Sequence, residues 1–368
     1  MSLRHNNTPE RVAVIAIALV ALGSPAGAQA AAPCERFAAA TVAGTVAEPS
    51  LIEISGVVAS RAHPGVLWVH NDSGGDPSVT ALSDTGADLG TYAVPGATAT
   101  DWEDIAAGPG PEPGRSYLYV ADIGDNGAAR DSVQVHRVPE PDEAPDGDDG
   151  QFVEDEVLTL RYPGGPVDAE ALLVDPRSGD LVVVGKRATA APVFAASADA
   201  LGAGGDVALR QVATLDEAPV GAPAGPLGPV TGGDVSPDGS VVLLRTYVSV
   251  AAYARPDGAP IQAAFTSTPC AAPQVSEPQG EALGFLSDGS AYVTISEGPA
   301  QPVNRFAVTP ALAATTTTTT VPPPQEDLAE EDDDGGGFAV GVVEVAVGAA
   351  LLLAIAGGAV WALRRRRR

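Results

Sequence analysis

The sequence predicts an all-β fold, a β-propeller with five recognisable blades (five or six in total), set between a signal peptide and a membrane anchor. Three observations support it. Residues 35–310 contain almost no helical periodicity, and short runs rich in Val and Leu are separated by Gly, Pro and Asp turns. One hairpin unit recurs five times along that stretch. The two ends of the chain differ in composition from this body and from each other.

The third copy of the unit is "AEALLVDPRSGDLVVVGKR" (169–187): a small or acidic pair, an apolar strand, a tight turn with Gly, and a second strand of Val and Leu. The first copy is "SGVVASRAHPGVLWVHNDSGG" (55–75) and the second "WEDIAAGPGPEPGRSYLYVADIGDN" (102–126). The fourth is "GGDVSPDGSVVLLRTY" (232–247) and the fifth "GEALGFLSDGSAYVTISEG" (280–298). The turns "PRSG", "SPDG" and "LSDG" supply the Gly and Asp that tight reversals need. Val57, Ile105, Leu172, Val235 and Leu283 are taken as equivalent, about 56 residues apart on average, slightly long for a four-stranded blade with loops. "RFAAATVAG" (36–44) is expected to supply the outer strand of the last blade and so close the ring. A pair of β-sandwiches or a jelly roll would account for the hairpins but not for their recurrence.

The ends carry addresses. "VAVIAIALVAL" (12–22), preceded by Arg4 and Arg11 and followed by "AGAQA", reads as a signal peptide over residues 1–28. The propeller ectodomain follows at 31–312. Residues 313–337, rich in Thr, Pro and acids, form an expected disordered stalk. A transmembrane helix is expected over 338–363, because 345–363 hold no charge and are long enough to cross a hydrocarbon core. "RRRRR" (364–368) would hold the end in the cytoplasm. The expected location is therefore the cell membrane, single-pass, with the N-terminal domain outside. Cys34 and Cys270 are the two cysteines, and in an exported chain they form a candidate disulfide joining the extremes of the body.

Composition limits the partners. With 20 Lys and Arg against 47 Asp and Glu, the formal net charge of -27 disfavours nucleic acid, whose phosphates need a basic footprint. Cations, or a small-molecule, cell-wall or protein ligand held by local basic groups, fit better.

"LWVHNDSGG", "DWEDIA", "YLYVADIGDN", "LVVVGKR", "TGGDVSPDGSVVLLRTY" and "QGEALGF" together resemble a family of secreted bacterial propellers described as phytase-like or WD40-like, loosely related to SMP-30-like propellers. The resemblance covers about residues 50–310. It implies the fold more closely than the activity. SMP-30-like relatives hold a divalent ion in the channel, and the resemblance implies the same here.

In a propeller the first strand of each blade lines the axis, so residues just before it gather at one mouth. Glu103, Glu170 and Glu281 fall in one column of the aligned copies, Asp104 and Asp234 in the next. Carboxylates crowded together need a compensating cation, and calcium accepts six to eight oxygens in flexible geometry. These five residues are the expected metal ligands. The alternative is that they bond blade backbones. Asp72 in "HNDSGGDP" and Asp122 in "ADIGDN" end second strands in loops that also suit oxygen ligation, or are ordinary turns. Lys186, the one lysine of the chain, stands with Arg187 at the matching strand end of blade three; Arg245 and Tyr247 stand there in blade four. Asp72, Asp122, Arg187 and Tyr247 are candidate ligand-binding residues. Glu103, Lys186 and Arg245 are candidate catalytic residues, since phosphate polarisation needs positive groups beside a metal. Ser73 lies near His70, but no "GxSxG" elbow exists; His63 and His136 read as structural.

The expected function is a ligand-binding ectodomain with an acidic, calcium-containing channel mouth. The alternative is a metal-assisted phosphoesterase or esterase on the same site.

Overall fold

The structure, a computed structural model, describes residues 33–309 apart from 73, 74, 204 and 224. The expected signal peptide, stalk, membrane span and Arg tail, together with Ser73, lie outside the described residues. Among the described residues no helix is long and apolar enough to cross a membrane.

Among the described residues twenty-two strands follow in chain order. β1 (Thr41–Thr45) precedes blade one, formed by β2 (Ile54–Ala59), β3 (Val66–Asn71), β4 (Ser78–Ser83) and β5 (Asp88–Ala93). Blade two contains β6 (Trp102–Pro109), β7 (Ser116–Asp122) and β8 (Val133–Pro139). Its third-to-fourth loop carries the two-residue β9 (Gly150–Gln151), and β10 (Glu156–Arg161) is its fourth strand. Blade three is β11 (Ala169–Val174), β12 (Leu181–Gly185), β13 (Ala191–Ala196) and, after β14 (Asp206–Ala208), β15 (Arg210–Leu215). Blade four is β16 (Val230–Val235), β17 (Val241–Thr246), β18 (Val250–Ala254) and β19 (Cys270–Ala272). Blade five is β20 (Gly280–Phe285), β21 (Ala291–Ser296) and β22 (Pro302–Ala307), completed by β1.

The fold is therefore a five-bladed propeller. The longer gaps hold no sixth blade. They hold β9 and β14, which pair in parallel with β5 and β10 and so cover the outer edges of the preceding blades. Repeat reading missed both, because two- and three-residue strands leave no hydrophobic period.

The inner strands close a ring: β2 packs on β6, β6 on β11, β11 on β16, β16 on β20, and β20 on β2. Side chains alternate across each blade, so every blade faces two neighbours. Val57 and Val69 pack toward blade five, whereas Val58 and Trp68 pack toward blade two. Five hydrophobic clusters result, one between each adjacent pair of blades. The hairpin glycines do what the sequence requires of them, with Gly179, Gly239 and Gly289 at φ of 77°, 68° and 68°.

The axis is narrow. A Cβ on Gly56 would lie 2.8 Å from the Ile105 nitrogen, one on Gly232 2.6 Å from the Glu281 carbonyl, and one on Gly284 2.5 Å from the Val57 carbonyl. At those positions glycine is what lets neighbouring inner strands approach.

Closure occurs as expected. β1 runs antiparallel to β22, with Phe37 bridging Val308 and packing edge-on against Tyr292 at 4.9 Å. Cys34 and Cys270 are bonded, tying the segment before β1 to the outer strand of blade four. The bridge spans 236 residues of sequence and constrains the unfolded chain strongly. Replacing both cysteines by serine is expected to cost about 2–5 kcal/mol. Guanidinium unfolding of the variant against the oxidised protein measures this, and unchanged stability would show that β1 pairing alone holds the ring.

Candidate functional site

Each inner strand begins with a β-bulge. The paired register skips one residue between Ile54 and Gly56, Trp102 and Asp104, Ala169 and Ala171, Val230 and Gly232, and Gly280 and Ala282. The skipped residues are Ser55, Glu103, Glu170, Thr231 and Glu281. A bulge re-aims a side chain at the end of a ladder. In blades one and four the hydroxyl serves the fold: Ser55 Oγ donates to the Glu103 carbonyl at 2.6 Å, and Thr231 Oγ1 to the Gly280 carbonyl at 3.0 Å. An ionised glutamate cannot donate in this way. The three glutamates thus stand at a position whose structural need Ser or Thr meets, and they are only 4%, 1% and 5% exposed.

This register confirms Glu103, Glu170 and Glu281 as equivalent and corrects blade four. Its counterpart to Leu172 is Gly233, not Val235, a shift of two residues. Pattern matching fails there because glycine replaces the apolar residue in "VTGGDV". Asp104 and Asp234 are consequently not one column. Both are spent on backbone. Asp104 accepts from the Ile105 and Leu172 nitrogens at 2.8 and 2.9 Å, and Asp234 from Val235 and Phe285, each at 2.7 Å. Each carboxyl joins its own inner strand to that of the next blade.

The acids that gather come from blades one to three. Ligand oxygens of Asp72, Asp101 and Glu103 lie within 4.8 Å of one another, as do those of Glu103, Asp168 and Glu170. Glu103 belongs to both groups. Backbone bonds fix the set: the Asp72 carbonyl accepts from Trp102 N at 3.0 Å, Asp101 from Gly124 N at 3.1 Å, and Asp168 from Lys186 N at 2.9 Å. Gly124 leaves the space they need, since a Cβ there would sit 2.2 Å from Glu103 Oε1 and 2.5 Å from Asp101 Oδ2. Two oxygens bound to one calcium at 2.3–2.6 Å are at most about 5 Å apart, so both groups fit that ion. The donors are all carboxylate oxygens, which suit calcium or magnesium better than zinc. Asp72 Oδ1 and Glu170 Oε2 are buried with no hydrogen-bond partner among the described residues.

Lys186 is the cation that reaches this set. Its Nζ pairs with Glu170 Oε1 and stands 5.9 Å from the Tyr247 ring, whose hydroxyl donates to Glu281 Oε1 at 3.1 Å. On the flank Arg130 holds Asp122 Oδ1 at 2.6 Å and the Gly124 carbonyl at 2.8 Å. Arg187, the next residue, is exposed. Arg245 is not part of the site. It is buried against blade five, donating to the Ala282 carbonyl at 2.6 Å and pairing with Glu277. Trp102 is fully buried, packed edge-on to His70 at 5.8 Å; burial pushes His70 down to about 4, leaving it neutral. His136 pairs with Asp155 at 2.9 Å, and His63 meets the Pro141 carbonyl at 2.7 Å.

Burial pushes several of these acids upward. Asp72 rises to about 6 through burial, then through Asp101, Glu297 and Glu53. Glu103 rises furthest, through burial and then Glu170. Burial raises Glu170 as well, against the opposing pull of Lys186, and it raises Asp101 and Glu281. Glu297 rises to about 7, through burial and then Glu281. Sequence reasoning sets Asp101 aside as lying outside the repeated column and does not single out Asp168; each sits two residues before its bulge residue, in "DWED" and "DAEA", and that shared spacing is the available signal.

No family model matches the chain, and no curated protein matches it. Among solved structures, a luciferin-regenerating enzyme is similar at 9% identity and a TM-score of 0.39, over 72% of this chain and 92% of its own. U3-55K is similar at 11% identity and a TM-score of 0.38, over 73% and 98% respectively. Both likenesses are loose, and the blade assignment rests on strand pairing.

Two outcomes follow. Asp104→Ala removes the acceptor for two buried nitrogens and is expected to lower stability by about 2–4 kcal/mol in denaturant unfolding, where a surface carboxylate would cost under 1. The second concerns pH. A carboxyl raised in the folded state binds protons that the unfolded chain has released, so stability falls as pH rises through its folded value. For Asp72, Asp234 and Glu297 that window runs from about 4 to about 7. His70 opposes them below its ordinary value. The cation-free protein should therefore melt higher at pH 5 than at pH 8. A melting temperature that is flat or rises over that interval would refute the set of raised carboxyls.

Proposed function

We propose that this protein is a cation-dependent binding ectodomain: the acid set around Glu103 holds a divalent cation, calcium by its donor chemistry, and the top of the propeller binds a polar or anionic ligand there. The observation that carries this is the convergence of Asp72, Asp101, Glu103, Asp168 and Glu170, with Lys186 paired to Glu170, Arg130 acting on Asp101 from the flank, and a buried oxygen of Glu170 unpaired. Several buried carboxylates stay ionised together only when positive charge compensates them. Export, a stalk and a single-pass anchor remain part of this reading. The apolar ends of the sequence support it, as does the Cys34–Cys270 bridge, a bond typical of oxidising compartments.

A second reading is metal-assisted hydrolysis of a phosphoester or other ester, in keeping with the phytase-like resemblance. It is favoured by carboxyls held above their ordinary range beside a lysine, the condition for proton transfer near neutral pH. A bound cation would supply polarisation of the scissile oxygen. Glu103 and Lys186 are its candidate catalytic residues; Arg245, buried against blade five, lends this reading no support.

Thermal melting with added calcium, magnesium or manganese tests the first reading. Stability should rise with ion concentration, by about 2.7 kcal/mol at a hundred times the dissociation constant. Glu103→Gln should weaken calcium binding at least about tenfold, since it removes the carboxylate shared by both groups. No shift with any of the three ions would remove the cation and with it this function. A screen of generic phosphoesters and esters addresses the second reading, which fails if activity is absent or survives both Glu103→Gln and Lys186→Met.

A further inference from the structure

We propose that Lys186 is a resident counter-ion which a bound divalent cation displaces from Glu170, and that the released ammonium then binds an oxyanion beside Tyr247 at the rim of the site. The inference rests on the cation-binding reading above and adds a linkage between the cation and a second, anionic ligand.

Glu170 serves two directions at once. Oε1 takes the Lys186 ammonium, while Oε2 is buried without a partner, and the residue also contributes to the oxygen group with Glu103 and Asp168. The side chain is 2% exposed, so water does not neutralise it. A divalent ion in the group with Glu103 and Asp168 would take the same negative charge that now holds Lys186. The two positive charges would stand within a few ångströms, in surroundings that screen poorly. One of them must yield, and lysine is the mobile one: its charge sits on a flexible four-carbon stem with three rotatable donors.

The backbone limits where it goes. Lys186 N donates to the carbonyl of Asp168, so the residue cannot leave the site when its ammonium does. The ammonium already lies near the half-exposed Tyr247 ring, whose hydroxyl engages Glu281. Arg187 is exposed next in sequence, and it forms no ion pair with another described residue. A released Lys186 would therefore stand at one rim position beside the Tyr247 ring. Without a cation, Lys186 is engaged and the acids repel anions. With one, the local negative charge is lowered and a donor is freed. Phosphate and carboxylate share the chemistry that this position recognises.

The chain's single lysine makes the test direct. In the full chain labelled with 15N,13C-lysine, the side chain gives one signal. Calcium alone should move it toward the position of a solvent-exposed lysine. Calorimetry with inorganic phosphate, kept below the solubility of calcium phosphate, should show tighter phosphate binding in the calcium-loaded protein by about 5- to 150-fold, with calcium tightened by the same factor when phosphate is present. Lys186→Met should bind calcium at least as tightly as the parent yet lose this coupling, and Lys186→Arg should retain part of it. Calcium binding with an unmoved lysine signal would overturn the displacement alone. Coupling that persists in full in Lys186→Met would show that the ion holds the anion without lysine, and would also overturn it. Failure of calcium to bind would overturn the cation reading and this one together.

Discussion

The constraint on which the structure depends is the crowding of five inner strands around one axis. Glycines at positions 56, 232 and 284 let the backbones come together at distances that a side chain would forbid. Backbone groups at such a contact must still be paired. Asp104 and Asp234 do this by accepting nitrogens from their own blade and from the next. The centre of the ring is consequently structural. The acidic side chains that gather stand at or near the ends of strands instead.

The bulge at each of those ends performs the displacement. One residue per blade is released from the ladder and re-aimed. Ser55 and Thr231 show what the fold asks of that residue, a hydroxyl for the neighbouring carbonyl. Glu103, Glu170 and Glu281 depart from that pattern and leave carboxylates buried near one another. The loops preceding β6 and β11 add Asp101 and Asp168, and the end of blade one adds Asp72. Lys186 and, from the flank, Arg130 face this charge, three fewer than the five carboxylates they meet.

Rigidity comes from the rim. The last blade borrows its outer strand from the N-terminal end of the body, and the Cys34–Cys270 bond ties that strand's approach to blade four. Blades one and two have their outer edges covered by short strands reaching back from the blade that follows. Buried ion pairs reinforce the lower and outer seams, among them Arg255 with Asp175 at 2.8 Å between blades three and four. Arg245 with Glu277 is another such seam pair. The cost of breaking either would come from stranding the remaining buried charge.

The sequence by itself determined the features that are local: alternating strands, glycine turns, five copies of the hairpin, the closing strand near residue 41, the cysteine pair and the Glu103–Glu170–Glu281 column. Each is written in a few adjacent residues through the two-residue period of a strand or the chemistry of a turn. Tertiary structure alone decided which charges meet. Asp234 and Arg245 look like site residues beside Glu281 and Lys186, yet one is spent on backbone nitrogens and the other on a blade seam. Asp101 and Asp168 look incidental, yet they complete the acid set. Which oxygens converge depends on contacts among three blades about 50–70 residues apart, where a shift of one residue turns a side chain to the other face. That one-residue shift, made by the bulges, is a property of the paired strands in the assembled ring.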